Sequence, residues 1–492
     1  MRMRPVIVGL LLAARAALAA GDFGDAWGTA ERENAFYRIV DIPMPEGVYL
    51  ESGCFATLPD GRIAIGTRRG EILLFSGLDE DPPRPRVARF AEGLDEIFGL
   101  SHRDGVFLVT QATELTRVSD RDGDGRADRF DTVSDAWGFG HYHEFAFGSP
   151  PDAEGAVTVA LGLSESYNSK AKFRGWALRI TPDGKVIPLC SGLRSPLGVG
   201  PNEHGAMFYA ESQGPWNGSC SLKHLQPGGF MGHPISFNWY PFAPGLGPPP
   251  VLPQTPSRME TERQRVKELV PYAVVFPYKK MGRSISGFQV NRSGGRFGPF
   301  ENQIFLGDYT LSIAMRATTE LVNGVWQGAC YPFREGLGSG ILAVHFTPRG
   351  RLLAGGTNRG WPVRGMKDNL LQRLDWTGVT PFEVKEIRIQ KEGFLISFTK
   401  PADAAAAARV ENYAITTYTH IYQAGYGSPE VDHTTPRVLA AVPAADGLSV
   451  RLRLDRITRG HVHDFDFAGL TSRAGEPVLH RKAYYTVNEI PR

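Results

Sequence analysis

Charge imbalance is missing from this chain of 492 residues: 54 Lys and Arg stand against 52 Asp and Glu, a formal charge of +2. A field that weak argues against nucleic acid or an anionic membrane as partner. Long apolar runs are also missing. Past the first twenty residues nothing approaches the roughly 18 uninterrupted apolar residues that suggest a membrane span. Cysteine is scarce, with Cys54, Cys190, Cys220 and Cys330 the only four. None falls in a C-x-x-C or C-x-x-C-H spacing, which leaves thiol redox chemistry and attached haem without support. No G-x-S-x-G elbow, Walker loop, H-E-x-x-H or zinc spacing occurs. What remains is a turn-rich globular composition, 42% hydrophobic with 57 Gly.

The N-terminus reads as an export signal over residues 1–19. MRMR supplies the positive start, PVIVGLLLAARAALA the apolar stretch, and Ala17-Leu18-Ala19 the small-residue cleavage site. The mature protein is therefore expected in the periplasm or outside the cell. There the four cysteines have three possible pairings that the sequence does not separate, and buried free thiols are the other reading.

One pattern organises the chain up to Trp376: a turn containing Gly, then a short β-rich run. It occurs at Gly61 before RIAIGT, Gly105 before VFLVT, Gly155 before AVTVALG, Gly205 before AMFYAE, Gly295 ahead of QIFLGD, and Gly350 before RLLAGGT. The spacings of 44, 50, 50, 90 and 55 residues mostly match a four-stranded propeller blade of about 40–50 residues. A Pro-rich insertion over 234–282, with PFAPGLGPPPVLPQTP and then ETERQRVKELV, accounts for the long interval. The expected fold is all-β, a six-bladed β-propeller over 31–376. Beyond it, alternating strands such as KEIRIQ, FLISFT and SVRLRL over 381–492 imply a small C-terminal β-sandwich. Within it the aromatic segment YTHIYQAGYGSPEVD is read as packing against the propeller, glycan binding being the alternative.

Three stretches carry chemistry. In SDRDGDGRADRFD, Asp120, Asp122, Asp124, Asp128 and Asp131 occupy positions 1, 3, 5, 9 and 12 of a twelve-residue loop, with Gly125 at 6. That is calcium spacing, although the last ligand is Asp in place of Glu and the flanks look like strands. A structural role is the expectation, the alternative being a solvated acidic turn. In GFGHYHEFAFG, His141 and His143 stand two apart, which on a strand puts them on one face and Glu144 on the other. They could supply a general base or two metal ligands, or be hydrogen-bonded channel histidines. In CSGLRSPLG, Arg194 sets a fixed charge at a strand end, and Gly214-Pro215 follows in AESQGPWNG.

Here the chain resembles the soluble PQQ-dependent glucose and sorbosone dehydrogenases, six-bladed propellers with a G-L-R-x-P turn and a later Q-G-P segment at the cofactor. More closely, YHEFAFG, GLRSPLG, KHLQPGGFMGHP, FLGDYT, NGVWQGACYPFREG and TNRGW look like propeller modules of planctomycete-type secreted proteins, over roughly residues 35–490. The resemblance implies Arg194 beside the PQQ carbonyls, Gly214 and Pro215 carbonyls on a catalytic calcium, and His141, with His143 as substitute, as base for a sugar or polyol hydroxyl. It also implies an electron acceptor such as a c-type cytochrome. Two departures stand out. Ser195 replaces an Asn, and GLGSGILAVHF lacks the arginine pair that grips PQQ carboxylates. Lys280 and Arg359, or Lys279, Arg283 and Arg364, are the replacements on offer. Three functions follow: a PQQ- and calcium-dependent sugar or polyol dehydrogenase, a non-catalytic carbohydrate- or partner-binding propeller, and metal-assisted lyase or hydrolase chemistry. Convergence of Arg194, His141 and Gly214 with cations spaced for three carboxylates would favour the first, and a mouth of Trp and Tyr faces the second.

Overall fold

The computed structural model describes residue 23 and residues 26–492; the expected signal peptide, 1–19, lies outside the described residues. Five runs of four antiparallel strands and a last run of three, completed by a strand from the N-terminal segment, follow one another along the chain, and each begins with a strand packed against the first strand of the next. The six runs noted in the sequence are the second strands: Ile63–Thr67, Val106–Thr110, Val157–Leu161, Met207–Glu211, Ile304–Asp308 and Leu352–Thr357. Ring closure joins the two ends of the array. Tyr37–Asp41 pairs with Asn369–Trp376 as the outermost strand of the last sheet, so the N-terminal segment staples the final unit and leaves no gap between first and last sheets.

Around the axis the first strands approach too closely for side chains at some positions. A β-carbon on Gly198 would stand 2.7 Å from the Gly287 Cα, and one on Gly99 2.7 Å from the Gly148 Cα. Phe98, Phe147, Tyr309, Leu342 and Val363 then fill the channel as one apolar cluster. This cluster draws on four of the six runs and so lies near the axis.

The insertion differs from its sequence reading at its end. Pro234–Phe242 is 3-10 helix and Met259–Arg265 is α-helix, but Val274–Phe276 is the outer strand of the fourth sheet, paired with Cys220–His224. The excursion therefore stops short of 274, where VVF returns to strand chemistry.

Hydrogen bonding crosses the expected boundary at 376–381. Val384–Gln390, Gly393–Phe398, Ser449–Leu454 and Val438–Pro443 form a separate four-stranded sheet. Lys482–Val487 instead pairs with Val325–Arg334 of the fifth run, giving one nine-stranded sheet. Phe394, Ile396, Ile415, Val450, Phe465 and Tyr485 form a core between the two sheets, with Ala329 and Tyr331 of the ring in it. All four cysteines are free, three of them buried. Burial raises the Cys220 thiol to about 12, so these thiols stay protonated.

Candidate site at the mouth of the ring

The loop carrying His141 and His143 is a turn, not a strand; the strand begins only at Ala146. The reason is Glu144. Its buried carboxylate accepts the backbone N–H of Gly140 (2.5 Å) and of His141 (3.1 Å) and the Ser164 hydroxyl, folding the chain back on itself. Buried Arg174 lies 3.8 Å from that carboxylate and donates to the carbonyls of Gly138, Phe145 and Ala112. Desolvation lowers its pKa to about 10, against the opposing pull of Glu144.

On this frame the two imidazoles differ. His141 Nε2 lies 3.0 Å from Glu165 Oε1, while its Nδ1 accepts the His143 backbone N–H at 3.2 Å. Both nitrogens are engaged, which sets the tautomer with the proton on Nε2. The His143 ring lies 4.0 Å from Tyr142 and 5.8 Å from Trp361, and its nitrogens have no hydrogen-bond partner among the described residues. Burial lowers its pKa, with His141 and Arg68 acting in the same direction. Burial thus favours the neutral form of this imidazole, the form able to accept a proton.

Glu165 and Ser166 both adopt left-handed backbone, at φ 50° and 64°, a conformation that side chains resist. This pair joins the histidines to Arg194: Glu165 holds His141, and the Ser166 carbonyl accepts Arg194 Nε at 3.3 Å. Arg194 Nη1 donates to the Gln213 carbonyl at 2.6 Å. Gly214 lies against the guanidinium, since a β-carbon there would stand 2.1 Å from Cζ. His141, Arg194 and Gly214 thus belong to one continuous wall.

The Gly214-Pro215 segment has a partner that the sequence did not disclose. The chain around Tyr426 runs beside it: Gly427 N–H donates to the Gly214 carbonyl (3.0 Å), Trp216 N–H to the Gln423 carbonyl (2.7 Å) and Ser428 N–H to the Gly218 carbonyl (3.1 Å). Pro215 and Tyr426 form an antiparallel bridge, and the Tyr426 ring centre is 5.2 Å from the Arg194 guanidinium. The aromatic C-terminal segment therefore packs on the ring and becomes part of its mouth.

The offered cations are engaged. Arg359 pairs with Glu51 at 3.2 Å and contacts Glu96, which also holds Arg68 at 3.1 Å. Lys280 lies 2.8 Å from Glu430 and 5.1 Å from the Tyr418 ring centre, in the contact with the C-terminal unit. PQQ needs cations for three carboxylates and its calcium needs available carbonyls. Here Glu51, Glu96 and Glu430 neutralise the cations, and Gly427 takes the Gly214 carbonyl. These residues do not fit the cofactor.

The acidic loop is a hairpin between Leu115–Ser119 and Arg129–Ser134. Carboxylate oxygens of Asp120, Asp122 and Asp124 lie within 4.8 Å of one another. Asp131 instead pairs with Arg129 at 2.5 Å, and Asp128 accepts the Arg121 N–H at 2.9 Å. Three of the five expected ligands come together. Asp131 sits on the strand, in register with Arg117, and a strand cannot wrap back over the loop as a helix does.

Of the large aromatic side chains on these loops that face solvent, four are more than half exposed: Tyr142 (70%), Tyr167 (51%), Trp361 (60%) and Tyr426 (58%). Sequence reasoning passed over Glu165 and gave Trp361 and Tyr426 no role of their own; Trp361 entered only within the TNRGW motif, and Tyr426 only within the aromatic run YTHIYQAGYGSPEVD.

A family model described as a domain of unknown function (DUF7133) matches residues 55–236. No curated protein matches the sequence. Among solved structures, the chain is similar to the PQQ-bound aldose sugar dehydrogenase of Streptomyces coelicolor (14% identity, TM-score 0.46, 69% of this chain and 98% of that one). It is likewise similar to the pyranose dehydrogenase PQQ domain of Coprinopsis cinerea (9%, 0.48, 69% and 95%). The soluble aldose sugar dehydrogenase of Escherichia coli, in its apo-form, is a third (14%, 0.45, 69% and 99%).

Proposed function

We propose that the ring is a six-bladed propeller, with a sandwich-like C-terminal unit, whose mouth binds a saccharide. The observation that carries this reading is the gathering of exposed Tyr142, Trp361 and Tyr426 around His143 and Arg194, with exposed Tyr167 next to Ser166, whose carbonyl holds Arg194. Aromatic faces take the apolar side of a sugar ring, and the charged and imidazole groups between them take its hydroxyls. No redox cofactor or electron acceptor is needed for binding alone. Export through residues 1–19 would place the protein where glycans are met. A glycan array probed with the mature protein and with Trp361→Ala tests the reading: the wild type is expected to retain a saccharide class that the variant releases. An array on which folded wild type binds nothing would sink it.

A second reading is favoured by the contact of Arg194 with Gly214, two positions that the resemblance assigns to one site. It is a sugar or polyol dehydrogenase holding PQQ and calcium, and it requires the Gly427 strand to move off the Gly214 carbonyl. In the acidic hairpin, Asp120, Asp122 and Asp124 are proposed as a separate, structural calcium site.

A further inference from the structure

Five arginines are buried among the described residues. Four have a carboxylate beside the guanidinium: Arg174 with Glu144 at 3.8 Å, Arg316 with Glu383 at 3.9 Å, Arg334 with Glu33 at 2.8 Å and Arg373 with Asp375 at 2.7 Å. Arg194, only 5% exposed, has none among the described residues. Its Nε and Nη1 are satisfied by the carbonyls of Ser166, Ser212 and Gln213, and Tyr426 covers it, but these partners are neutral. Its Nη2 has no hydrogen-bond partner among the described residues. A buried charge without a counter-ion is costly, and Nη2, which is not among the buried unpaired atoms, is the donor that a ligand can reach.

We infer that Arg194 receives the carboxylate of an acidic sugar, a uronate residue of a glycan, at the edge of the Tyr426 ring. The inference rests on the saccharide reading above and narrows its ligand. One guanidinium without a counter-ion calls for one anion, and a carboxylate matches the planar fork of its donors. Further anions are not called for nearby, because Arg359 and Arg68 already have Glu51 and Glu96. Tyr426 belongs to the C-terminal unit, so the two parts of the chain build the subsite together. Its exposed ring gives the sugar a face to lie on while the acid group reaches Arg194.

The test is an array that pairs galacturonate, glucuronate and mannuronate oligosaccharides with their methyl esters and with sulfated counterparts, followed by calorimetry on the strongest pair. The mature wild type is expected to bind a free acid at least tenfold tighter than its ester. Arg194→Gln should bind acid and ester alike, near the ester's affinity, while Arg194→Lys keeps part of the preference. In wild type alone, free acetate should displace the acid and leave the ester bound, a readout that does not depend on either variant folding. Equal binding of acid and ester, or preference for sulfated sugars, overturns the inference and leaves the saccharide reading standing. Binding of none of these or of any neutral sugar by folded wild type overturns both.

Discussion

Arg194 and Gly214 lie twenty residues apart in sequence and touch in space, so closely that a β-carbon on Gly214 would stand 2.1 Å from the guanidinium Cζ. The missing side chain is what lets a charged group lie under Tyr426 with its donors on the Ser166 and Gln213 carbonyls. Gly214→Ala is therefore expected to displace the guanidinium, costing about 1–3 kcal/mol of stability from overpacking and abolishing saccharide binding. Gly245→Ala, where nothing stands within 4 Å, should change neither. Thermal melts and binding isotherms of the two variants check this; an unchanged Gly214→Ala would mean that the contact is slack.

Trp361 is an exposed platform and carries little of the fold. Trp361→Ala should leave stability within about 0.5 kcal/mol and weaken saccharide affinity by roughly five- to tenfold, the scale of one aromatic stacking contact. Equal affinity in calorimetry would remove Trp361 from the site.

Calcium is expected to raise the melting temperature through the acidic hairpin. Asp122→Ala should abolish the increase. Asp131→Ala should preserve it, because Asp131 is held by Arg129, away from the other three carboxylates. Ligand-linked stabilisation of this kind reaches about 2.7 kcal/mol at a hundredfold excess over Kd. A melting curve that ignores both calcium and chelator would leave the hairpin as a solvated turn.

A buried charged network joins three parts of the chain. His480 Nε2 lies 2.9 Å from Glu33 and its Nδ1 3.0 Å from Glu383; Arg334 holds Glu33 and Arg316 approaches Glu383. Burial lowers the imidazole's pKa, but the two carboxylates outweigh it and raise it to about 9. A raised folded-state pKa stabilises the fold fully below the unfolded value near 6.5 and loses that contribution as pH rises through about 9. Unfolding free energy should therefore fall by on the order of 3 kcal/mol between neutral pH and pH 10. His480→Gln should flatten that slope in denaturant titrations, and an identical slope in the variant would contradict the assignment.

The ring was legible because each unit repeats the same local chemistry: Gly61, Gly105, Gly155, Gly205 and Gly350 all take the positive φ that their turns require. Arg194, Gly214 and His141 were legible as motif positions. The counter-ions of Arg359 and Lys280 were not, since Glu51, Glu96 and Glu430 arrive from other loops, and long-range pairing leaves no periodic trace. The shared face that His141 and His143 would have on a strand does not form, because alternation is a local signal and Glu144 overrides it by capturing two backbone N–H groups. Nor does sequence show that strand Lys482–Val487 joins the ring's own sheet.

The most direct measurement is a calorimetric titration of the mature protein with PQQ, first with calcium and then after chelation. With Gly214 bonded to Gly427 and Arg359 and Lys280 neutralised by carboxylates, no saturable heat is expected in either condition. Tight, calcium-dependent binding would contradict the saccharide-only mouth and make the quinone dehydrogenase reading the correct one.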